Sequence, residues 1–436
     1  MFLSLLRRRV ARFALPEVAQ LWLVYTLFFV AGVAQAAIVP LLPRLTGRFD
    51  LTASQAALLL ALPGLATLAV SVPSGVAADR LGARRVTLAA GALLGLSCVA
   101  QATPSLPALL LGRIVFGVAF GVVWTTGMAW LAELSKAGGR SGMGPSVTCS
   151  SVGIMVGPAV GGILAQSAGL GAPFVAIAVT TALLVAALAG GTAEGDATPA
   201  PQVAPNELPL EITYSQPPIA DVPGLTPRAL LAMARRPRVS AAAAALVVSG
   251  AVSSASQLLV SGDLHRLGLS TGEIGVAFSA AAIFYIVVSA AVVRLGHRAH
   301  TLRINALATA ALAGALLPAL TGDGLVVMMA ALLLAAGPRA VISTIAYSLA
   351  SDRGRRDGRG DGVVFGMLNG AWAAATVLIP LLAGAAEQRG GPRAGYLAVI
   401  IPACLIAGWL VLRSPGETRH ARTPVRSAIL QRVLRS

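Results

Sequence analysis

The chain has 436 residues, of which 56% are hydrophobic and only 11% are charged, with a mean hydropathy of +0.80 and a formal net charge of +16. Soluble domains carry about 25% charged residues, so the composition excludes a single soluble domain. The three cysteines and four histidines are scattered without metal-ligand spacing. We therefore expect neither a disulfide framework nor a metal site, and no cofactor.

Apolar runs of about 20 residues recur along the chain, each long enough to cross the ~30 Å hydrocarbon layer of a bilayer. We count twelve, near 17–40, 54–76, 86–102, 106–132, 146–165, 172–191, 240–261, 272–293, 302–320, 325–349, 363–386 and 395–412. The first run follows a basic stretch, but no small-residue cleavage site comes early enough after it. It is therefore predicted to be a span and not a signal peptide.

The placement of the basic residues is more informative than their total. If both termini are cytoplasmic, most of the 33 Lys and Arg fall in the tails and the even-numbered loops, which is the positive-inside pattern. A nucleic-acid-binding protein would need a soluble basic face, and no soluble segment is long enough to form one. We expect a multi-pass protein of the plasma membrane with lipid as its surroundings and no nucleic-acid partner.

The segment "GVAADRLGARR", residues 75–85, forms a charged turn with regular glycines between the second and third spans. Gly82 suits a left-handed backbone. Asp79 stands alone among arginines, so it can accept a hydrogen bond from one of them or lie at a helix N-terminus. A loop that only sets topology would need the arginines, but it would not need this spacing of Gly75, Asp79 and Gly82.

Glycines are spaced every four residues in the fifth span, within "GIMVGPAVGG" at 153–162. Such glycines lie along one helix face and let another backbone approach closely, while Pro158 bends the helix. We predict a notched seam between helices that move, formed with a similar notch in the fourth span by Gly117, Gly121, Gly153, Gly157, Pro158, Gly161 and Gly162. Static packing is the alternative, because such faces are common in membrane proteins.

A proline-rich stretch separates two sets of six runs. We predict an N-terminal cytoplasmic tail at 1–16, a six-helix bundle at 17–191, a cytoplasmic linker at 192–239, a second bundle at 240–412 and a cytoplasmic tail at 413–436.

The two sets of runs are related by an internal repeat. "RLGARRVTL" at 80–88 matches "RLGHRAHTL" at 294–302 in six of nine positions, and a shift of 222 carries Gln35 onto Gln257, Pro158 onto Pro380 and Gly162 onto Gly384. The predicted fold is an all-α integral membrane protein with twelve transmembrane helices in two pseudo-symmetric six-helix bundles.

These motifs resemble those of the major facilitator superfamily over essentially the whole length. The loop signature G-x-L-A-D-R-x-G-R-K of that family is met by Gly75, Ala78, Asp79, Arg80, Gly82 and Arg84, while Ala77 and Ala83 depart from it. "LGRIVFGVAFG" at 111–121 is similar to the fourth-span motif through Arg113 and Gly117. "GIMVGPAVGG" matches the fifth-span G-x-x-x-G-P-x-x-G-G at every fixed position.

The resemblance implies a secondary transporter, and the fifth-span motif is associated in the family with exporters of drugs or metabolites that exchange substrate for protons. It also implies a cytoplasmic latch in which Asp79 pairs with Arg140 of the loop between the fourth and fifth spans. In the second copy of the turn, Val293 occupies the place of Asp79. The latch is therefore expected to be asymmetric.

Two arginines are predicted inside the membrane, and no acid is predicted inside any span. A buried charge is costly and usually lines a cavity, so Arg113 and Arg339 are candidates for proton coupling or for contact with an anionic substrate. The alternative for Arg113 is a hydrogen bond at a helix kink, or snorkelling towards the interface. Arg339 follows Gly337 and Pro338 at mid-span.

Other polar or aromatic residues in the predicted spans are candidates for the substrate cavity, although most are expected to serve packing: Tyr25, Gln35, Trp124, Gln257, Tyr285, Tyr347, Asn369 and Trp372. Gln35 and Gln257 do not titrate. A pair of neutral amides weakens the case for a cationic drug and favours a neutral or anionic substrate.

The sequence favours alternating-access export of a small organic molecule coupled to proton entry, by a protein expected to act as a monomer. No phosphate-binding loop for ATP is present. Uptake or facilitated transport of an anionic or neutral solute is the alternative. A membrane enzyme would need clustered acids or a nucleophile with its base, which the sequence lacks. A transport-inactive receptor on the same fold stays open.

Overall fold

The computed structural model describes residues 17–138, 143–190, 227–295, 301–322, 324–350 and 361–413. Within these ranges the chain is almost entirely helical and contains no strand. The predicted tail at 1–16, most of the linker, Arg140 and the C-terminal tail beyond Arg413 lie outside the described residues.

The first half contains six long helices, which are α1 (Glu17–Ala37), α2 (Ala53–Leu81), α3 (Ala83–Ala102), α4 (Leu106–Gly138), α5 (Met143–Ala168) and α6 (Ala172–Gly190). A 3₁₀ turn at Val39–Leu41 and a short helix at Leu42–Phe49 continue α1, so that the first apolar segment reaches Phe49.

The second half contains α7 (Pro237–Ala255), α8 (Thr271–Leu295), α9 (Leu302–Gly314), α10 (Leu325–Ala350) and α11 (Asp361–Arg413). Helix α7 continues through a π-helical turn at Ser256–Val260 and a short helix at Ser261–Arg266. Shorter helices at Pro227–Ala234 and Pro318–Thr321 precede α7 and follow α9.

Gly391, with a φ of 76°, interrupts α11 and divides it into two crossings. The described residues thus hold 11 helices that are long and apolar enough to span a membrane, and the last supplies two spans. The prediction of twelve spans in two halves is confirmed.

The starts of α2 and α8 are fixed by the same local device. Thr52 and Gln55 exchange hydrogen bonds, with the Thr52 amide donating to Gln55 Oε1 at 2.9 Å and the Gln55 amide donating to Thr52 Oγ1 at 3.3 Å. Ser270 and Glu273 do the same before α8, at 2.8 and 3.3 Å. Both are capping boxes, which satisfy amides that have no partner within the helix.

Within the first half, α1 packs on α5, and α4 packs on α2 and α3. Within the second half, α7 packs on α10 and α11, and α8 packs on α10. The halves meet along two seams, one between α5 and α8 and the other between α2 and α11. In a bilayer such contacts are held by close van der Waals packing, so small residues at the seams matter more than apolar area.

We call the end of the bundle where α1 and α7 begin the terminal end, and the opposite end, where α2 and α8 begin, the distal end. The backbone contacts between the halves lie in the distal part of the seams. Gly162 of α5 faces the backbone of Thr271, and the place where a Cβ of Gly384 would lie is 2.6 Å from the carbonyl oxygen of Ala53. The described structure is therefore closed at the distal end.

Candidate functional site

Arg339 forms the centre of a polar cluster in the second half. It is half-buried in the middle of α10, and its Nη1 donates to Ser253 Oγ of α7 at 2.7 Å. Its Cζ lies 4.9 Å from the ring centroid of Tyr285 on α8, which is a cation–π contact. A guanidinium has five N–H donors, and no carboxylate among the described residues forms an ion pair with this one. Donors therefore remain for a ligand.

A second polar pair lies about two turns from Arg339 towards the terminal end. The hydroxyl of Tyr347 on α10 donates to Asn369 Oδ1 on α11. Tyr347 is half-buried and Asn369 is exposed. Helices α7, α8, α10 and α11 thus all contribute polar side chains to one region of the second half.

The first half offers an aromatic surface on α4. Phe116, Phe120 and Trp124 follow one another at four-residue spacing, with ring centroids 5.8 and 6.2 Å apart. Phe28 of α1 packs edge-on against Trp124 at 5.4 Å. Trp124 is half-buried, whereas Phe116 is fully buried. We call Phe116, Phe120 and Trp124 the aromatic row.

The remaining predicted cavity residues lie on α1, on the continuation of α7 and on α11. Tyr25 is 9% exposed and packs edge-on against Trp22 at 5.8 Å. Gln35 is half-buried on α1, and Gln257 is half-buried in the π-helical turn, a kind of irregularity that often occurs at functional sites. Trp372 on α11 is 42% exposed.

The position of Arg113 on α4 is explained by a missing backbone hydrogen bond in the neighbouring helix α2. It is 2% exposed, and its Nε donates to the carbonyl oxygen of Leu59 on α2 at 2.9 Å. In a regular helix that carbonyl would accept from residue 63, but Pro63 has no amide. Arg113 therefore replaces the missing helical hydrogen bond, while its Nη1 has no partner among the described residues.

The fourth-span glycines serve the same crossing. Gly117 faces the backbone of Pro63, and Thr67 Oγ1 donates to the Gly117 carbonyl at 2.8 Å. Gly121 faces Thr67 and Val70 one turn further along α2. This notch therefore belongs to the packing of α2 on α4 within the first half.

The fifth-span glycines divide between two partners. Gly153, Gly157 and Gly161 face α1, and a Cβ on Gly157 would lie 2.8 Å from the Val33 carbonyl oxygen. That notch joins two helices of the same half. Only the neighbouring Gly162 faces α8 across the boundary between the halves.

Pro158 also lies at the boundary between the halves. Its carbonyl faces Gly275 of α8, and the amide of Ala159 donates to Ser279 Oγ at 3.1 Å. A proline bends the helix that contains it, and here the bent turn presents a backbone donor to the opposite half.

Two glutamines complete the distal closure, although the sequence analysis missed them. Gln166 Oε1 of α5 accepts from the amide of Gly272 at 3.1 Å, and Gln388 Oε1 of α11 accepts from Ser54 Oγ at 2.7 Å. Gln388 follows Gln166 by the 222 positions that relate the two halves, so the repeat could have revealed them. We call these two hydrogen bonds the distal clasps.

A charged cluster lies at the distal end of the second half. Asp263 lies near the end of the helical segment that stops at Arg266, and Glu387 lies just before the break at Gly391. Arg266 donates to Asp263 at 2.6 Å and to Glu387 at 2.8 Å, and the buried Tyr396 hydroxyl donates to Asp263 at 2.6 Å. The acids are thus paired at the distal end.

The proposed latch has no visible partner in the described structure. Asp79 and Arg80 are exposed at the end of α2, and Asp79 forms no ion pair with a described residue. Gly82 has a φ of 87°, and Arg84 Nη2 donates to the Leu188 carbonyl of α6 at 3.0 Å. Gly75 has open space where a Cβ would point. Since Arg140 lies outside the described residues, its pairing with Asp79 stays a prediction.

Twelve spans in two pseudo-symmetric halves that meet along two seams define a membrane-embedded transport protein. Residues 24–364 match the family model of the Major Facilitator Superfamily. The chain belongs to this superfamily, whose members are transporters and not enzymes.

An uncharacterized MFS-type transporter of Schizosaccharomyces pombe is 35% identical over 119 residues, which are 27% of each chain. Another, from Yersinia pestis, is 35% identical over 162 residues, 36% of this chain and 41% of the relative. The matched part of the chain thus spans less than half the length of these relatives.

Among solved structures, a bacterial homologue of the human lysosomal transporter Spinster, inward-facing and occupied, has a TM-score of 0.70 at 13% identity. The match covers 90% of this chain and 95% of that one. The likeness establishes a shared fold.

Proposed function

We propose that the chain exports a small organic anion with a planar apolar part by alternating access, in exchange for protons. Arg339 is the observation that carries this proposal. It is a cation in the middle of a span, held by Ser253 and Tyr285, without an acidic partner among the described residues. Since a charge at that depth is costly, an anionic ligand would compensate it.

The chemistry of the two halves favours a substrate with two distinct parts. A guanidinium recognises carboxylate, sulfonate or phosphate oxygens through paired hydrogen bonds. The half-buried members of the aromatic row, Phe120 and Trp124, offer ring faces for a planar apolar group, since aromatic groups pack favourably in offset or edge-on arrangements. We place the anionic end at Arg339 and the planar end towards Trp124.

The expected topology is consistent with export, because it allows the substrate to load from the cytoplasm. With both termini in the cytoplasm of a plasma-membrane protein, the distal end faces outwards, and the distal closure makes this the inward-facing state. A substrate would then load from the cytoplasm at the level of Arg339. The fifth-span motif supports exchange against protons, and we propose that a single chain is the functional unit.

The binding half of the proposal is tested with the purified full chain in liposomes and three matched ligands: an aromatic carboxylate, its neutral amide and its amine analogue. We expect the carboxylate to bind, and Arg339→Gln to weaken its binding about ten- to a hundredfold, because a hydrogen bond to a charged group is worth about 1.5–3 kcal/mol. Arg303→Gln removes one charge from an exposed position at the start of α9 and should leave affinity unchanged.

Two results would contradict the binding proposal. One is equal binding of the amine and the carboxylate. The other is full affinity for the carboxylate in Arg339→Gln.

The coupling half is tested by tracer flux under an imposed pH gradient in inside-out vesicles. We expect accumulation that requires an acidic interior and collapses when a protonophore is added. Flux that follows only the substrate gradient would replace proton exchange with facilitated transport of the anion. No flux together with retained binding would favour a receptor.

A further inference from the structure

A groove of about 490 Å³ runs along the α5–α8 seam and is not used by the proposed transport site. Its walls are apolar side chains from both halves, namely Met155, Val156, Val160, Ile163 and Leu164 of α5 and Ile283 of α8. Ala159 and Ser279 also line it, and the Ser279 hydroxyl oxygen accepts a hydrogen bond from the Ala159 amide at 3.1 Å. Ser279 is the one polar side chain of the lining and is buried, so the surface that the groove offers to a ligand is apolar.

The shape of the groove follows from how the two helices cross. At the distal end, Gly162 meets the backbone of Thr271 and Gly275 meets that of Pro158, so the two backbones approach closely there. Ala159 and Ser279 are also in contact across the seam. The groove lies beside this line of contact and is bounded by α5 from Met155 to Leu164 and by Ile283 of α8.

The groove opens towards the surroundings of the bundle. Val160, Ile163 and Ile283 are 36%, 53% and 52% exposed, as expected for side chains on the outer face of membrane-spanning helices. At this depth the surrounding phase is hydrocarbon, and an apolar crevice in contact with it gains dispersion energy when it is filled.

We propose that this groove binds one acyl chain of a bilayer lipid. The occupant is identified by three features: an apolar accessible surface, a position within the spans and an opening to the hydrocarbon layer. Because the two walls belong to opposite halves, movement of the halves changes the width of the groove, and a bound chain stabilises the state in which the groove has its present shape.

The test uses the full chain in liposomes of a phosphatidylcholine with a photoactivatable diazirine in the middle of one acyl chain. After irradiation, adducts are mapped by mass spectrometry. We expect labelling of 155–164 and 279–283 in excess of the outer face of α6, where Val175, Val179 and Leu183 are 50%, 54% and 67% exposed. This comparison is made within the wild-type chain, and equal labelling of the groove and of α6 would overturn the proposal.

Two substitutions sharpen the comparison. Val160→Trp fills the groove and should lower its labelling about tenfold, since the chain loses the burial of several methylene groups. Ile154→Trp adds the same side chain on α5 outside the groove, at a residue that is 43% exposed, and should leave the labelling unchanged. Labelling that survives Val160→Trp would also overturn the proposal, and Ile283→Trp repeats the test from the opposite wall.

Discussion

Gln166 and Gln388 stand 222 positions apart and make corresponding contacts across the middle of the molecule. Each accepts a hydrogen bond from the second residue of a helix in the opposite half, Gly272 of α8 and Ser54 of α2. Those helices begin with the same kind of capping box. The internal repeat therefore preserves an interaction between the halves as well as the fold of each half.

The distal clasps are expected to favour the distally closed state. Ser54→Ala removes one hydrogen bond, worth about 0.5–1.5 kcal/mol, so we expect the closed population to fall about two- to tenfold relative to the open one. Spin labels at Thr103 and Thr321, on the distal ends of the two halves, report this as a longer distance in pulsed EPR.

Ser167→Ala is the matched control for the clasp. Its hydroxyl bonds only to carbonyls of its own helix, at 2.9 and 3.4 Å. An identical distance distribution in Ser54→Ala and the wild type would show that this hydrogen bond does not stabilise the distally closed state.

The adjacent glycines Gly161 and Gly162 test which helix each of them packs against. Gly162→Ala places a methyl group against the Thr271 backbone of the other half, whereas Gly161→Ala places one against Ala37 of α1 in the same half. Overpacking costs about 1–3 kcal/mol in both. We expect Gly162→Ala to lengthen the distal EPR distance, and Gly161→Ala to lower thermal stability while that distance is kept. The same outcome for both variants would contradict the assignment of Gly161 to the contact with α1 and of Gly162 to the contact with α8.

Arg113 and Pro63 are expected to be coupled energetically. Arg113→Met leaves the Leu59 carbonyl without a donor, which costs about 1–3 kcal/mol. Adding Pro63→Ala supplies the helical amide to that carbonyl, so the double variant should recover stability in thermal unfolding. The Pro63→Ala single variant is the control.

Proton-coupled flux in the same Arg113 variants separates structure from coupling. If the double variant is stable and transports, Arg113 serves the helix crossing. A stable double variant without coupled flux would give Arg113 a role in transport, and failure to regain stability would contradict the proposed replacement of the helical hydrogen bond.

Asp79→Asn should affect the state in which the terminal end is closed, which differs from the distally closed state of the described structure. Since Asp79 is exposed and forms no ion pair with a described residue here, we expect unchanged stability and unchanged distal distance in the distally closed state. Turnover should fall, because the predicted latch forms when the terminal end closes. Asp50→Asn is a matched control at an exposed left-handed position that asparagine also tolerates. Wild-type turnover in Asp79→Asn would contradict the predicted latch.

The sequence was sufficient for features that depend on local chemistry. The spans follow from the length of the apolar runs, and the break at Gly391 agrees with the gap between the last two runs. Gly82 has the left-handed φ that the turn predicted. Each of these depends on a few neighbouring residues, which is why a single sequence contains the information.

The partners of side chains could not be predicted in the same way. The spacing of Gly153, Gly157 and Gly161 indicates a notched face, but it does not say which helix fills it, and the partner proved to be α1. Ser253 gives no local signal that it binds Arg339, because the two residues are 86 positions apart. The ion pair of Arg266 with Glu387 likewise gives no local signal, because the two residues are 121 positions apart.

The backbone irregularities near the distal end differ between the two halves. The first span tightens into a 3₁₀ turn at Val39–Leu41, whereas the seventh widens into a π-helical turn at Ser256–Val260. A 3₁₀ helix has fewer residues per turn than an α-helix and a π-helix has more, so the residues beyond these points rotate in opposite senses. A chimera built from two copies of one half would therefore contain one kind of turn twice and lack the other. We expect that the two halves cannot replace each other at the distal end.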